Sequence, residues 1–303
     1  MNTNINFSII IPHNNIPTLL KRCLSSIPYR DDLEIIIVDD NSDKHIVDFN
    51  NFPGTERSNT IIIFSKENNR GAGYARNLGL QKANGKWILF ADADDLFNPC
   101  INQALEKYKL SNNDVIYFPV NSLNSETFEP SNIGDHINKW IENYNRTGDE
   151  RFLRYVWGEP WCKLIKKNLI TDNDIKFDET SVQNDTIFSF YIGLKATKIA
   201  TSNYHIYNYM QRSNSITTTP SLEKILTRIN VLGRRELLYR KNNIHLKDDN
   251  IWKYTLHLYN NKEYYNKAIK MLSDIGFTNN DIFSNLRKQQ IKEKYYKIKR
   301  LFK

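Results

Sequence analysis

KWILFADADD, residues 86–95, sets the apolar residues Trp87 to Phe90 directly before three carboxylates in four positions. A short continuous apolar run suits a strand buried on both faces, here 86–91, and Asp92, Asp94 and Asp95 then stand where that strand ends. Carboxylates crowded in this way repel one another unless something positive comes between them. Oxygen ligands of this kind suit Mg2+ or Mn2+, which take few protein carboxylates and complete their shell from water and phosphate. Asp is also a common loop and cap residue, but three in four positions exceed what capping requires.

The chain on either side repeats the pattern. Upstream, FSIII (7–11) is a short apolar run ended by Pro12, LEIIIV (33–38) runs into Asp39-Asp40-Asn41-Ser42-Asp43, and TIIIF (60–64) is a third run. Asn15 is placed to cap a helix with Pro17 in its first turn, ending near Ser26. Gly73 to Ala83 reads as a helix closed by Gly85. Downstream, Pro99 opens a helix with Ile101, Ala104, Leu105 and Tyr108 on one face, and DVIYFPV (114–120) reads as a fifth strand. Strands alternating with helices give an α/β fold with a doubly wound, mostly parallel sheet, and such sheets bind ligands beyond the carboxyl ends of their strands. Residues 122–215 are less regular, with strand-like pieces at 175–177 and 198–210 and a helix near 184–195; from about 220 the pattern is helical.

Composition narrows the class. Hydrophobic residues make up 40% of the 303, and 12% are aromatic, enough for a true core and against disorder. Neither a signal peptide nor a membrane span is evident, and Cys23, Cys100 and Cys162 lack metal-ligand spacing and read as reduced thiols. The expected location is therefore the cytosol. The six histidines are scattered and read as structural. The net charge of +8 is concentrated: RKQQIKEKYYKIKRLFK (287–303) holds eight of the 42 basic residues and one of the 34 acidic ones. Within it Ile291, Tyr295, Ile298 and Phe302 fall at i, i+4, i+7 and i+11, one helix face, among lysines and an arginine. That pattern suits a helix lying in an anionic membrane interface, on the cytoplasmic surface; a solvated or partner-docking helix fits it too.

FSIIIPHNN (7–15), EIIIVDDNSD (34–43), NRGAGYARNLGLQKANGKWILFADADD (69–95) and QNDTIF (183–188), in this order and spacing, resemble glycosyltransferase family 2 over about 215 residues. The resemblance implies a GT-A fold at 1–217, with a nucleotide-binding half at 1–121 and an acceptor half at 122–217, followed by a helical region at 218–303. It implies an inverting transfer of sugar from a nucleoside-diphosphate donor, a UDP-sugar for preference, to a glycan hydroxyl, with Mn2+ or Mg2+ as cofactor. Pro12 would end the first strand beside the base, and Asp40, with Asp39 beside it, would accept from a uracil N–H. Arg76 would lie near base and phosphate, with Asn77 bracing its helix; Asp92 would lie near the ribose. Asp94 would bind the metal, with Asp95 an alternative ligand. Asp185 would be the general base, although Asn184 departs from the family's Glu-Asp pair. WGEPWCKLIKK (157–167) resembles a segment beside the acceptor, where Trp157 and Trp161 would either stack on sugar or form core. QRSNSIT (211–217) resembles the loop over the diphosphate, with Arg212 as its contact. The acceptor implied is a lipid-linked glycan of bacterial capsule, exopolysaccharide or lipopolysaccharide.

Three other readings compete. A sugar-nucleotide nucleotidyltransferase has a Gly-rich, Arg-containing loop after its first strand, where this chain has IPHNNIPTLL (11–20). A nucleic-acid-binding protein would need more than a basic tail, and no helix-turn-helix, zinc or RNA-binding signature is present. An inactive family member is opposed by the intact Asp92, Asp94 and Asp185.

Overall fold

Uninterrupted Ile and Val runs become the inner strands, because residues that face helices on both sides need no polar alternation. The computed structural model describes residues 5–65, 70–212 and 221–301, the side chains of 296–301 excepted. In chain order the elements are β1 (Phe7–His13), α1 (Pro17–Ser25), β2 (Leu33–Asp39), β3 (Thr60–Phe64), α2 (Ala72–Lys82), β4 (Trp87–Phe90), β5 (Leu96–Phe97), α3 (Ile101–Tyr108), β6 (Val115–Tyr117), β7 (Val120–Asn124), α4 (Asp135–Thr147), β8 (Lys163–Lys166), α5 (Lys167–Thr171), α6 (Thr186–Lys195), β9 (Ile199–Thr201), β10 (Tyr207–Gln211), α7 (Leu222–Lys241), α8 (Asn250–His257), α9 (Lys262–Ile275) and α10 (Asn279–Leu301).

The main sheet has the order β3-β2-β1-β4-β8-β6-β9. It is parallel except for β8, which runs against both β4 and β6. Every residue of β2 is buried, and β3, at the edge, exposes Ile61 and Phe64. The chain moves outward from β1 to β2 and β3, then returns to the other side of β1 as β4. The carboxyl ends of β1, β2 and β4 therefore meet where the strand order reverses, the place where open α/β sheets bind ligands.

β1 does not stop at Pro12 but continues through His13. In a parallel strand successive residues bond alternately to the two neighbours. His13 O accepts from Asp40 N on the β2 side, and Ile10 O accepts from Ala91 N on the β4 side. Pro12, two residues beyond Ile10, faces the β4 side after β4 has ended, so its missing N–H leaves no bond unmade.

DVIYFPV does not form one strand. It splits into β6 in the main sheet and β7 in a second sheet of order β5-β10-β7. The change falls at Phe118 and Pro119: Phe118 N still bonds to Cys162 O, and proline has no donor to continue the ladder. Residues 175–177 form no strand either. Asn77 takes both backbone groups of Phe177, accepting from its N–H at 2.9 Å and donating to its carbonyl at 3.0 Å, so a side chain does what a neighbouring strand would do. Asn15 does not cap α1, whose first turn follows Ile16 and holds Pro17. Gly85 lies beyond the end of α2 and touches β1 so closely that a Cβ would sit 2.6 Å from Phe7 C and Ser8 N.

The chain divides into two units, Met1–Thr180 with Ile187–Ser215, and Ser181–Thr186 with Ile216–Lys303. The second is built around Ile225, Ile229, Leu232, Leu272, Ile282 and Leu286. Ser221 and Asn261 cap α7 and α9, and Gly276 ends α9 in the left-handed region. Among the described side chains of α10, Ile282, Leu286 and Gln289 are buried, whereas Ile291 and Tyr295 are 60% and 59% exposed. Among the described residues no helix is long and apolar enough to cross a membrane. Cys23 and Cys162 are buried, Cys100 is partly exposed, and all three are free thiols.

Candidate active site

The loop after β2 is tied down from within. Asp39 is buried and accepts from Ser42 N at 2.9 Å, Ser42 Oγ at 2.6 Å and His13 Nδ1 at 2.7 Å. The second ring nitrogen, Nε2, accepts from Ile16 N at 3.2 Å, so the imidazole proton sits on Nδ1 and is donated to Asp39. Burial pushes the Asp39 carboxyl up, but the bonds from His13 and Ser42 outweigh it and hold it below the ordinary range. Asn15, in the left-handed region, accepts from Asp43 N and donates its own N–H to Ser42 Oγ, fastening the β1–α1 loop to the same turn. Asp40 accepts from the backbone N–H groups of Arg70 and Gly71, at 3.2 and 2.7 Å, where the chain enters α2.

The acids after β4 diverge in role. Asp95 is buried, with one oxygen accepting from Tyr207 Oη at 2.8 Å and the other from Met210 N at 2.7 Å. Tyr207 Oη in turn accepts from Asp92 N at 2.9 Å. Asp95 thus latches β10 to the end of β4. Burial, then Asp94 and Asp92, push its carboxyl well above the ordinary value. Asp95, expected as an alternative metal ligand, is instead enclosed at 1% exposure and holds β10 in place.

Asp92 and Asp94 each carry an arginine. Arg76, buried on α2, reaches Asp92 at 2.6 Å with its guanidinium near the Phe177 ring. Arg212, directly after β10, reaches Asp94 at 2.5 Å. Arg22 of α1 supports this loop from behind, donating to Asp94 O at 3.0 Å and Ser125 O at 3.2 Å. Burial and then Asp92 push the Asp94 carboxyl up, and Arg212 opposes them. Asp94 keeps part of its carboxylate exposed, and such an oxygen is a hard donor of the kind Mg2+ or Mn2+ takes. Asp94 therefore fits a cation that takes its other ligands from phosphate and water, although the described residues include no cluster of three or more acidic, His or Cys groups able to hold a metal.

Neither tryptophan offers a face to a sugar. Trp157 is 1% exposed and lies against Tyr117, with the Lys163 ammonium over its ring and bonded to its carbonyl. Trp161 is buried between Tyr207 and Tyr209, both stacked on it. Both are core, which corrects the sugar-stacking alternative: aromatic partners already cover the rings. Asp185 is half-buried and immediately precedes α6. It falls within Ser181–Thr186, the stretch grouped with the second unit. Residues 213–217 of the QRSNSIT stretch lie outside the described residues. Tyr207, Arg22 and His13 have no sequence signal of their own, since each acts on a partner far along the chain.

The family model for "Glycosyl transferase family 2" matches residues 8–168. A cholesterol galactosyltransferase of Borreliella burgdorferi is 28% identical over 69% of this chain and 64% of its own length. A poly(ribitol-phosphate) beta-glucosyltransferase of Bacillus spizizenii is 28% identical over 67% of this chain and 32% of its own. The chain thus spans less than two thirds of either relative. The crystal structure of S. aureus TarS 1-349 in complex with UDP-GlcNAc superposes with a TM-score of 0.64 at 19% identity, covering 89% of this chain and 81% of that one. The shared fold is GT-A, with the mostly parallel sheet and a helical C-terminal region.

Proposed function

The chain belongs to glycosyl transferase family 2, and on that basis we propose that it transfers a sugar, with inversion, from a nucleoside-diphosphate donor to a hydroxyl of a glycan acceptor. The observation that carries this reading is the Asp92-x-Asp94 pair at the reversal of strand order, with an arginine on each acid. Family relatives named as galactosyl- and glucosyltransferases support the reaction class, and the neighbour bound to UDP-GlcNAc supports a UDP-sugar.

In this reading Pro12, Asp39, Asp40, Arg76 and Asp92 belong to the base and ribose side, Asp40 as the acceptor for a uracil N–H. A carboxylate oxygen has more than one lone pair, so the backbone bonds at Asp40 leave it able to accept again. Mn2+ or Mg2+, held through Asp94, would supply neutralisation of the diphosphate charge as the nucleotide leaves. Arg212 would add a guanidinium to the same phosphate oxygens. Asp185 would accept the proton of the attacking hydroxyl, and a single displacement inverts the anomeric centre without a covalent enzyme intermediate. The acceptor would be a lipid-linked glycan of the bacterial surface, met at the cytoplasmic face of the membrane through the basic 287–303 segment. Calorimetry of UDP with Mn2+, repeated after EDTA, tests the core of the proposal: affinity should fall on chelation. Equal affinity in both conditions would remove the metal from it, and no UDP binding in either would remove the donor.

A further inference from the structure

Each acid of the Asp92-x-Asp94 pair is already matched by a cation of the chain itself. Arg76 lies 2.6 Å from Asp92 and Arg212 lies 2.5 Å from Asp94. Within each ion pair the charges cancel, so a bare divalent cation must take its oxygen from an existing pair. The third carboxylate does not make up the difference, because Asp95 is enclosed at 1% exposure behind Tyr207 and Met210. Among the described residues nothing else completes a cluster of three donors, and Mg2+ or Mn2+ held by one protein carboxylate needs the rest of its shell from elsewhere.

A nucleoside diphosphate alters both sides of this balance. Its oxygens supply the missing ligands, and they offer the Arg212 guanidinium a charge-assisted partner as good as the carboxylate it leaves. Arg212 is well placed for such an exchange: it follows the last residue of β10, and its side chain is 27% exposed where that of Arg76 is 5%.

We propose that Arg212 is the resident counter-ion of Asp94 in the nucleotide-free protein, and that the divalent cation enters only together with a nucleoside diphosphate, which draws Arg212 away. The proposal rests on the reading of Asp94 as metal ligand given above. Its consequence is a measurable coupling, since whatever UDP does for Mn2+ affinity, Mn2+ does equally for UDP.

The test is a titration of the intact chain with Mn2+ alone, free Mn2+ being read by electron paramagnetic resonance, with and without saturating UDP. Wild type should bind Mn2+ weakly until UDP is added. Arg212→Met should bind Mn2+ without nucleotide about 10-fold more tightly or better, the scale of one charge-assisted contact, and gain correspondingly less from UDP. Arg212→Lys keeps the counter-charge and should return to weak binding. If Arg212→Met keeps the wild-type Mn2+ affinity and the full effect of UDP, the counter-ion role is overturned while the metal site stands. If no protein binds Mn2+ even with UDP present, the assignment of metal to Asp94 falls, and this proposal with it.

Discussion

Asp185 carries the chemistry of the proposed reaction in a single atom, the oxygen that takes a proton. Asp185→Asn removes that basicity with little change of volume, so it should leave UDP affinity in place and lower kcat by about 10²–10⁴-fold, read by transfer at saturating donor. Transfer within a few-fold of wild type would move the base elsewhere. At this scale the sequence was legible where an acid follows a buried strand: Asp39, Asp40, Asp92, Asp94 and Asp95 all stand at strand ends. Their roles were less so. Asp94 and Asp95 are neighbours with the same side chain, and what separates them is Tyr207, 112 residues further on. Trp157 and Trp161 illustrate the same limit, because only the tertiary neighbours decide whether a tryptophan ring is covered by tyrosines or open to a sugar.

Among the elements, the short strands β6 and β9 are fastened by one carboxylate. Asp114 accepts from Thr197 N and Oγ1, from Lys198 N at 3.0 Å and from Lys166 Nζ at 3.3 Å. Burial works against its charge, but these donors, Thr197 foremost, outweigh it and hold the carboxyl down at about 2. A carboxyl lowered on folding contributes stability above its ordinary value near 3.8 and loses it as pH falls toward the folded value. The melting temperature of wild type should therefore drop between about pH 4 and pH 2 more steeply than that of Asp114→Asn, which should already melt lower at pH 7; parallel curves would refute the latch. The parallel strands were readable because continuous apolar runs leave few alternatives. β8 was not, since KLIK offers only Leu164 and Ile165 between two lysines and its antiparallel place between β4 and β6 is a tertiary outcome. The two-sheet path of 114–124 hid behind an apolar run whose single telling residue, Pro119, looked like part of it.

For the whole molecule, the uneven charge makes the strongest statement. Residues 291–303 hold six cations and one acid, and each cation near an anionic leaflet is worth about 1 kcal/mol. The full chain should sediment with phosphatidylserine-containing vesicles at low salt. A chain ending at Gln290, which keeps the buried Ile282, Leu286 and Gln289, should not, yet should still bind UDP. Equal sedimentation of both would assign membrane contact to another surface or to none. The three thiols give the molecule a different kind of handle. Burial raises Cys23 and Cys162 far above the usual thiol range and Cys100 less, and a maleimide needs both the thiolate and access to it. Cys100, partly exposed and bonded to His205 O, should take up one equivalent of dye in the native protein, against three in urea, counted by mass spectrometry. A fluorophore could then be written onto this enzyme at one chosen address without editing its sequence, and that address lies at His205, where the chain enters β10, the strand that leads to Arg212.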